Sequence, residues 1–415
     1  MTKEVDTEAA HLMSAFDAAP QQGTMTFWTT VVNTIKSIVG TGVLTLPFAI
    51  RSAGLIQGIT AFCIVGCYST YTMWVISECF RMKPNVGTYG QLCETALGYT
   101  GRVIGGINII LLEVLVGAGY LVFVGFNIAS VAGRGVQEAL VMLACVPIIG
   151  AFIFSKDVAS LGFISSLGNF AIVASLTIIM GYAYLNTEGN GTYELYGDLG
   201  GLAVFLGSTV FMFSGHAEVI AIVKPMKQRS EYPKVLLLSV GTLFLIYAVF
   251  GIGVYLSFGE ITDGLIFNNM SGFTVSVTKV FHSLAILFSI PVKLWPAFEA
   301  LEVNILGENW QDNPEKCTKA WSASMRLFIL FATSFVAIAI PDFAFLVAFC
   351  GSFCISLVGL VLPPLIYIIL SSSQKNLSQR LTIPSLILHW ILFIIGVTVC
   401  TASSGHILYM KLSYM

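Results

Sequence analysis

From residue 28 onward the chain alternates long apolar runs with short polar ones, and the runs are too long for the interior of a small soluble fold. A helix needs about 20 apolar residues to cross a hydrocarbon layer. By that measure eleven runs qualify: 28–53, 55–80, 103–131, 138–154, 160–185, 202–224, 234–259, 274–304, 321–340, 342–370 and 384–410. The pattern predicts an all-α polytopic membrane protein. Residues 1–27 are polar and mixed in charge, with no apolar core of a signal peptide, so they read as a disordered cytoplasmic tail. Nothing between 28 and 410 reads as a linker or low-complexity stretch, which predicts one membrane domain.

The first run is interrupted. WTTVVNTIKSIVGTGVLTLPFAIRSA carries Gly40-Thr41-Gly42 at its middle and Pro47 one turn later. Glycine costs about 1 kcal/mol in a helix interior and proline about 3. An unwound turn facing lipid would also leave N–H and C=O groups without partners, so such a break must line a cavity or be buried in protein. Freed N–H groups and a half-helix N-terminus hold anions well. The sixth run has a matching interruption, Ser214-Gly215-His216. Gly40 follows Trp28 by 12 positions and Ser214 follows Leu202 by 12. Paired interruptions in corresponding spans mark transporters built from inverted repeats, with the substrate at the midplane. The pairing predicts repeats over 28–185 and 202–370, and an extra helix over 384–410.

Composition agrees with the pattern: 10% of residues are charged, against about 25% in soluble domains. Basic residues concentrate in cytoplasmic loops. With the N-terminus inside, the inner segments hold 14 Lys and Arg and the outer segments only Arg51, Arg134 and Lys411. Glycosylation sequons at Asn190 and Asn269 then face out, and one at Asn376 faces in. No outer loop contains any of the nine cysteines, so no disulfide framework is implied.

The residues at the breaks carry a resemblance. NTIKSIVGTGVLTLPFAI resembles the first-span pattern of the amino acid/auxin permease family, within the amino acid–polyamine–organocation superfamily. FMFSGHAEV resembles the span-six break of its vacuolar and vesicular branch, SIPVKLWP its span eight, and CGSFCISLVGLVLPPLIY its span ten. The resemblance runs in order from about residue 25 to 410. It departs at Ile220-Ala221, where the family usually has Leu-Pro, and at Glu218, where the family is usually apolar. It implies a LeuT-like five-plus-five inverted repeat with helices one and six broken, and an amino acid as substrate.

On this reading Gly40, Thr41 and Gly42 present N–H groups to a carboxylate. Ser214 and Gly215 form the opposite wall, Phe213 shapes the side-chain pocket, and Tyr120 offers a hydroxyl. Ionisable residues inside a membrane span are functional candidates by default: Lys36, Glu113, Lys293, and Glu218 beside His216. In sodium-coupled relatives the position of Lys36 resembles an asparagine that binds sodium together with a span-eight hydroxyl, which Ser289 matches. A lysine there repels sodium by about 4 kcal/mol at 4 Å for an effective dielectric of 20. Proton coupling through Lys36 is therefore expected, with His216 and Glu218 next in line.

Other chemistry is absent from the sequence. There is no H-E-x-x-H, no G-x-S-x-G and no nucleotide-binding glycine loop, so neither an enzyme nor an ATP-driven pump is expected. The string His216-Ala217-Glu218 resembles half of a zinc-deaminase motif, but Met226 follows Pro225 where that motif needs cysteine. The expected function is secondary active amino-acid transport by alternating access, with a proton gradient and no cofactor or metal. Sodium coupling, or an amino-acid sensor on the same scaffold, are the alternatives. The partners are substrate and lipid bilayer, not nucleic acid, and a monomer is expected to suffice. The membrane is either vacuolar or lysosomal in type, or the plasma membrane.

Overall fold

A computed structural model describes residues 23–133, 135–154, 158–186, 192–306, 316–373 and 382–413. The sequons at Asn190 and Asn376 fall outside the described residues. The first apolar run is α1 (Phe27–Ile38), a 3-10 turn (Thr41–Thr45) and α2 (Leu46–Ala53), bent by 52° at the break. Then follow α3 (Leu55–Met82), α4 (Tyr89–Leu97), α5 (Tyr99–Ala132), α6 (Glu138–Ile153) and α7 (Val158–Asn186). The sixth run is α8 (Leu199–Met212) and the short α9 (Val219–Val223), separated by an unwound stretch. After it come α10 (Tyr232–Phe258), α11 (Phe273–Leu306) and α12 (Lys316–Ala339). The tenth run is α13 (Phe343–Cys350), two π-helical turns and α14 (Leu362–Ser372). The last is α15 (Ile383–Thr398), one π-turn and α16 (Ser404–Ser413).

Each of the eleven apolar runs coincides with a helix or a broken helix. Among the described residues seven helical stretches are long and apolar enough to cross a membrane, and the bent α1–α2 pair makes an eighth. Glu138–Ile153, Phe170–Leu185 and Leu199–Met212 are shorter apolar helices. The chain is a multi-pass membrane protein. Large apolar side chains such as Phe328, Phe331 and Phe335 are exposed on α12, as a lipid-facing surface requires.

Local chemistry sets the joints. Gly54 between α2 and α3 has φ +81°, and a Cβ there would lie 2.6 Å from the Gly197 nitrogen. Only glycine fits such a joint without strain. Thr26 caps α1 by accepting from Thr29 N–H. The predicted free tail over 1–27 is too long at its C-terminal end, because Met25 pairs with the segment after α9. Met25 N–H donates to the Pro225 carbonyl at 2.9 Å, and Lys227 N–H donates to the Met25 carbonyl at 2.9 Å. A segment with unpaired backbone groups gains by finding these partners.

Five helices frame the centre. α5 packs along α11, and α8 lies between α2 and α13. The α8–α13 approach is close: a Cβ on Gly207 would lie 2.1 Å from the Ala348 carbonyl oxygen.

Candidate functional site

The two breaks touch. A Cβ on Gly215 would lie 2.7 Å from Cγ1 of Ile38, the last residue of α1. Around them opens a cavity of about 700 Å³, within the range of small-molecule sites. Its deep wall includes Gly40, Gly42, Tyr120, Phe211, Ser214 and Gly215. Its mouth lies among Gln91, Glu94, Arg102 and Asn304, at the end of the bundle that carries the basic loops. The opposite end is shut. Beyond Tyr120 and Phe211 lies a void of about 10 Å³ beside Phe343, room for one water at most. Phe123 then packs on Phe343 and Phe267, with ring centroids 5.4 and 6.0 Å away. Further out, Arg51 pairs with Glu260 at 3.4 Å and donates to the Thr262 carbonyl at 2.9 Å.

The span-one break suits an anion. The first N–H groups of a helical turn lack intrahelical acceptors, and the turn beginning at Thr41 faces the cavity through Gly42. Thr45 Oγ1 donates to the Gly42 carbonyl at 2.8 Å, so that oxygen is satisfied. Gly42 cannot be replaced freely, since a Cβ would lie 2.4 Å from Cδ1 of Phe211. Gly40 has an extended backbone (φ −149°) and open space where a Cβ would go. Thr41 departs from the sequence expectation. Its side chain lines the small void on the shut side, with Oγ1 buried and without a hydrogen-bond partner.

Phe213 also departs from expectation. It is fully buried away from the cavity, against Phe62 (5.3 Å), Tyr247 (6.0 Å) and Phe244 (6.3 Å). Phe211 and Met212 line the cavity instead. The backbone leaves helical geometry at this point, and the helical phase that orients side chains is lost with it. His216 lines the wall, with Nδ1 buried and without a hydrogen-bond partner. Nε2 hydrogen-bonds with Thr72 Oγ1 at 3.0 Å, and a Cβ on Gly359 would lie 2.7 Å from the ring. It ties the span-six break to α3 and to the π-helical part of the tenth span.

The pair Lys36 and Ser289 does not form. The buried face of α1 is Thr30, Val31, Thr34 and Ile38, and Lys36 is exposed off it and away from the cavity. Ser289 donates to the Ala285 carbonyl at 2.8 Å and lies against Gly168 of α7. The ionisable residues that share the cavity are others. Glu113 of α5, Glu218 of the unwound stretch and Lys293 of α11 all line the cavity. Lys293 lies within electrostatic reach of Tyr120, Glu113 and Glu218. Because Lys36 does not line the cavity, Lys36→Asn is expected to leave pH-dependent uptake close to that of the wild type. A large loss would return Lys36 to the coupling machinery.

The mouth was not expected. α4 holds Gln91 and Glu94 at the cavity, and Tyr89 hydroxyl pins that helix by donating to the Val358 carbonyl at 2.6 Å. A signal was present in Thr88-x-x-Gln91, a capping-box pattern, with Gly98 at the far end. Thr88 Oγ1 accepts from Gln91 N–H at 3.2 Å and Gly98 has φ +64°. On the shut side, Asn269 Nδ2 donates to the Ile261 carbonyl at 2.7 Å, so this sequon's amide is engaged within its own loop.

Comparison with known proteins adds the family. The model for the transmembrane amino acid transporter protein family matches residues 23–409. The chain belongs to that family. Its members are transporters, not enzymes. It is similar to the amino acid transporter AVT3A of Arabidopsis thaliana, 24% identical over 89% of this chain and 86% of that one. It is also similar to the amino acid transporter ANT1 of the same organism, 26% identical over 85% and 86%. The vacuolar amino acid transporter 4 of Saccharomyces cerevisiae is 25% identical over 65% of this chain and 39% of that protein. Among solved structures, the inward facing conformation of Mhp1 superposes with a TM-score of 0.61 at 10% identity, covering 94% of this chain and 92% of that one. The fold of this family member is LeuT-like.

Proposed function

We propose that this protein is a secondary active transporter of amino acids that works by alternating access and is coupled to protons. One observation carries the reading: two broken helices meet at a single cavity that is open at one end and shut at the other. The span-one turn suits the α-carboxylate, and the unwound 213–218 stretch offers carbonyls to the α-ammonium. With the basic loops in the cytoplasm, the cavity faces the cytoplasm. Opening to the other side requires parting the Phe123–Phe343 contact and the Arg51–Glu260 pair. The name of the yeast relative, a vacuolar amino acid transporter, favours a vacuolar-type membrane.

The coupling group on this reading is Glu113, Lys293 and Glu218 rather than Lys36. When the cavity closes, water leaves the carboxylates, and a buried charge must be paired or neutralised. A proton taken up there and released on the other side ties transport to a pH gradient.

Reconstituted protein, given a panel of amino acids with separate pH and sodium gradients, tests this. Uptake is expected in sodium-free buffer and should follow the pH gradient. Uptake that needs sodium and ignores pH would overturn the coupling. No uptake of any amino acid would overturn the function.

A further inference from the structure

The deep charges of the cavity do not balance. Two carboxylates, Glu113 and Glu218, face one ammonium, Lys293. No carboxylate lies within ion-pair distance of Lys293 among the described residues, although both share its field. Glu113 is half-buried on α5, opposite Lys293 on the closely packed α11. Glu218 stands on the unwound stretch of the sixth span, exposed into the cavity, where a substrate's side chain would lie.

The other titratable groups nearby do not change that count. Tyr120 of α5 lines the cavity, and Tyr232 of α10 has a buried hydroxyl with no hydrogen-bond partner. His216 is enclosed by Thr72 and Gly359. Towards the mouth, Glu94 and Arg102 face each other at 3.7 Å, and Glu299 is exposed in the open part of the cavity. Formally, then, carboxylates outnumber ammonium groups by one at depth, and Glu218 is the carboxylate exposed where a substrate would meet it.

We propose that this surplus carboxylate is neutralised in two interchangeable ways, and that this sets the substrate class. A zwitterionic amino acid with a neutral side chain enters with a proton on Glu218. An amino acid with a cationic side chain places its own ammonium or guanidinium against Glu218 and enters without that proton. Each cycle then carries one positive charge, whichever substrate is used. An acidic side chain adds a further negative charge and is rejected. At 6 Å and an effective dielectric of 20, one uncompensated like-charge contact disfavours it by about a hundredfold.

The inference rests on the amino-acid transport reading, and the same experiment separates the two. Full-length protein is reconstituted into vesicles containing a pH-sensitive dye. Uptake of radiolabelled alanine, lysine and glutamate is measured together with charge movement and internal pH. Alanine is expected to bring in one proton and one charge per molecule. Lysine is expected to bring in one charge and no proton, and glutamate uptake should be at least about a hundredfold lower. Lysine entering with a proton, lysine not entering, or glutamate entering as well as alanine would each overturn the inference while leaving amino-acid transport standing. Absence of all three fluxes would overturn the transport reading itself. In counterflow, Glu218→Gln should lower the lysine-to-alanine ratio about a hundredfold and remove the proton that accompanies alanine. Glu218→Asp should restore both. An unchanged ratio in Glu218→Gln would move the surplus charge elsewhere and overturn the assignment.

Discussion

Gly42→Val is expected to lower amino-acid uptake at least about a hundredfold, equivalent to roughly 2.7 kcal/mol, while the protein still folds and inserts. The cause is local. A Cβ at residue 42 falls 2.4 Å from Cδ1 and 2.7 Å from Cε1 of Phe211, closer than any carbon contact allows. The Phe211 ring must therefore swing away, and the open space beside it is the cavity that both residues line. A ring moved into that space occupies the substrate's place. A ring that stays forces the 3-10 turn to shift its N–H groups off the carboxylate. Either way binding is lost, whereas the apolar packing of α1 and α2 is untouched. Uptake by reconstituted protein, set beside its thermal unfolding in detergent, checks this. Undiminished uptake would remove the site from the span-one break.

Arg326→Ala is expected to destabilise the fold by about 3–5 kcal/mol, because it strands a buried carboxylate. Glu302 on α11 has a side chain 2% exposed, and its Oε1 accepts from Arg326 Nε at 2.8 Å and from Ser322 Oγ at 2.6 Å. Arg326 Nη1 also donates to the Ile153 carbonyl at the end of α6 at 2.9 Å. The guanidinium lies 5.0 Å from the Trp295 ring and 5.5 Å from that of Phe298. One side chain thus joins α6, α11 and α12. Replacing both partners with apolar residues, Glu302→Leu with Arg326→Met, should recover a large part of the loss, since the cost lies in the unpaired charge and not in the missing pair. Thermal unfolding of the purified variants is the measurement. A single variant that melts with the wild type would show that water reaches Glu302.

Legibility along the chain followed the strength of each physical constraint. The apolar runs were readable because a bilayer admits few alternatives to a helix of that length. Both breaks were readable because glycine and proline penalise a helix wherever it lies. The outward position of Lys36 was also present in the sequence, as the stripe of Thr30, Thr34 and Ile38 puts residue 36 on the other side of α1. Reading the break first, and the helical face second, drew Lys36 into the site, whereas the structure leaves it off the cavity lining. The capping-box pattern of Thr88 and Gln91 announced α4, but nothing local says that this helix folds back over the cavity mouth. That depends on Tyr89 reaching Val358, which is distant in sequence.

The sequence by itself determined the class of protein, the positions of the spans and the two places where helices must come apart. Those follow from hydropathy, helix propensity and the charge of the loops, each of which acts on a residue through its own chemistry and its near neighbours. Only the tertiary structure decided which side chains meet at the breaks. Phe211 lines the cavity while Phe213 packs outside it, and Glu113, Glu218 and Lys293 come together from three separate segments. In an unwound stretch the regular rotation of about 100° per residue is gone, so side-chain direction there is set by the neighbouring helices that close around it.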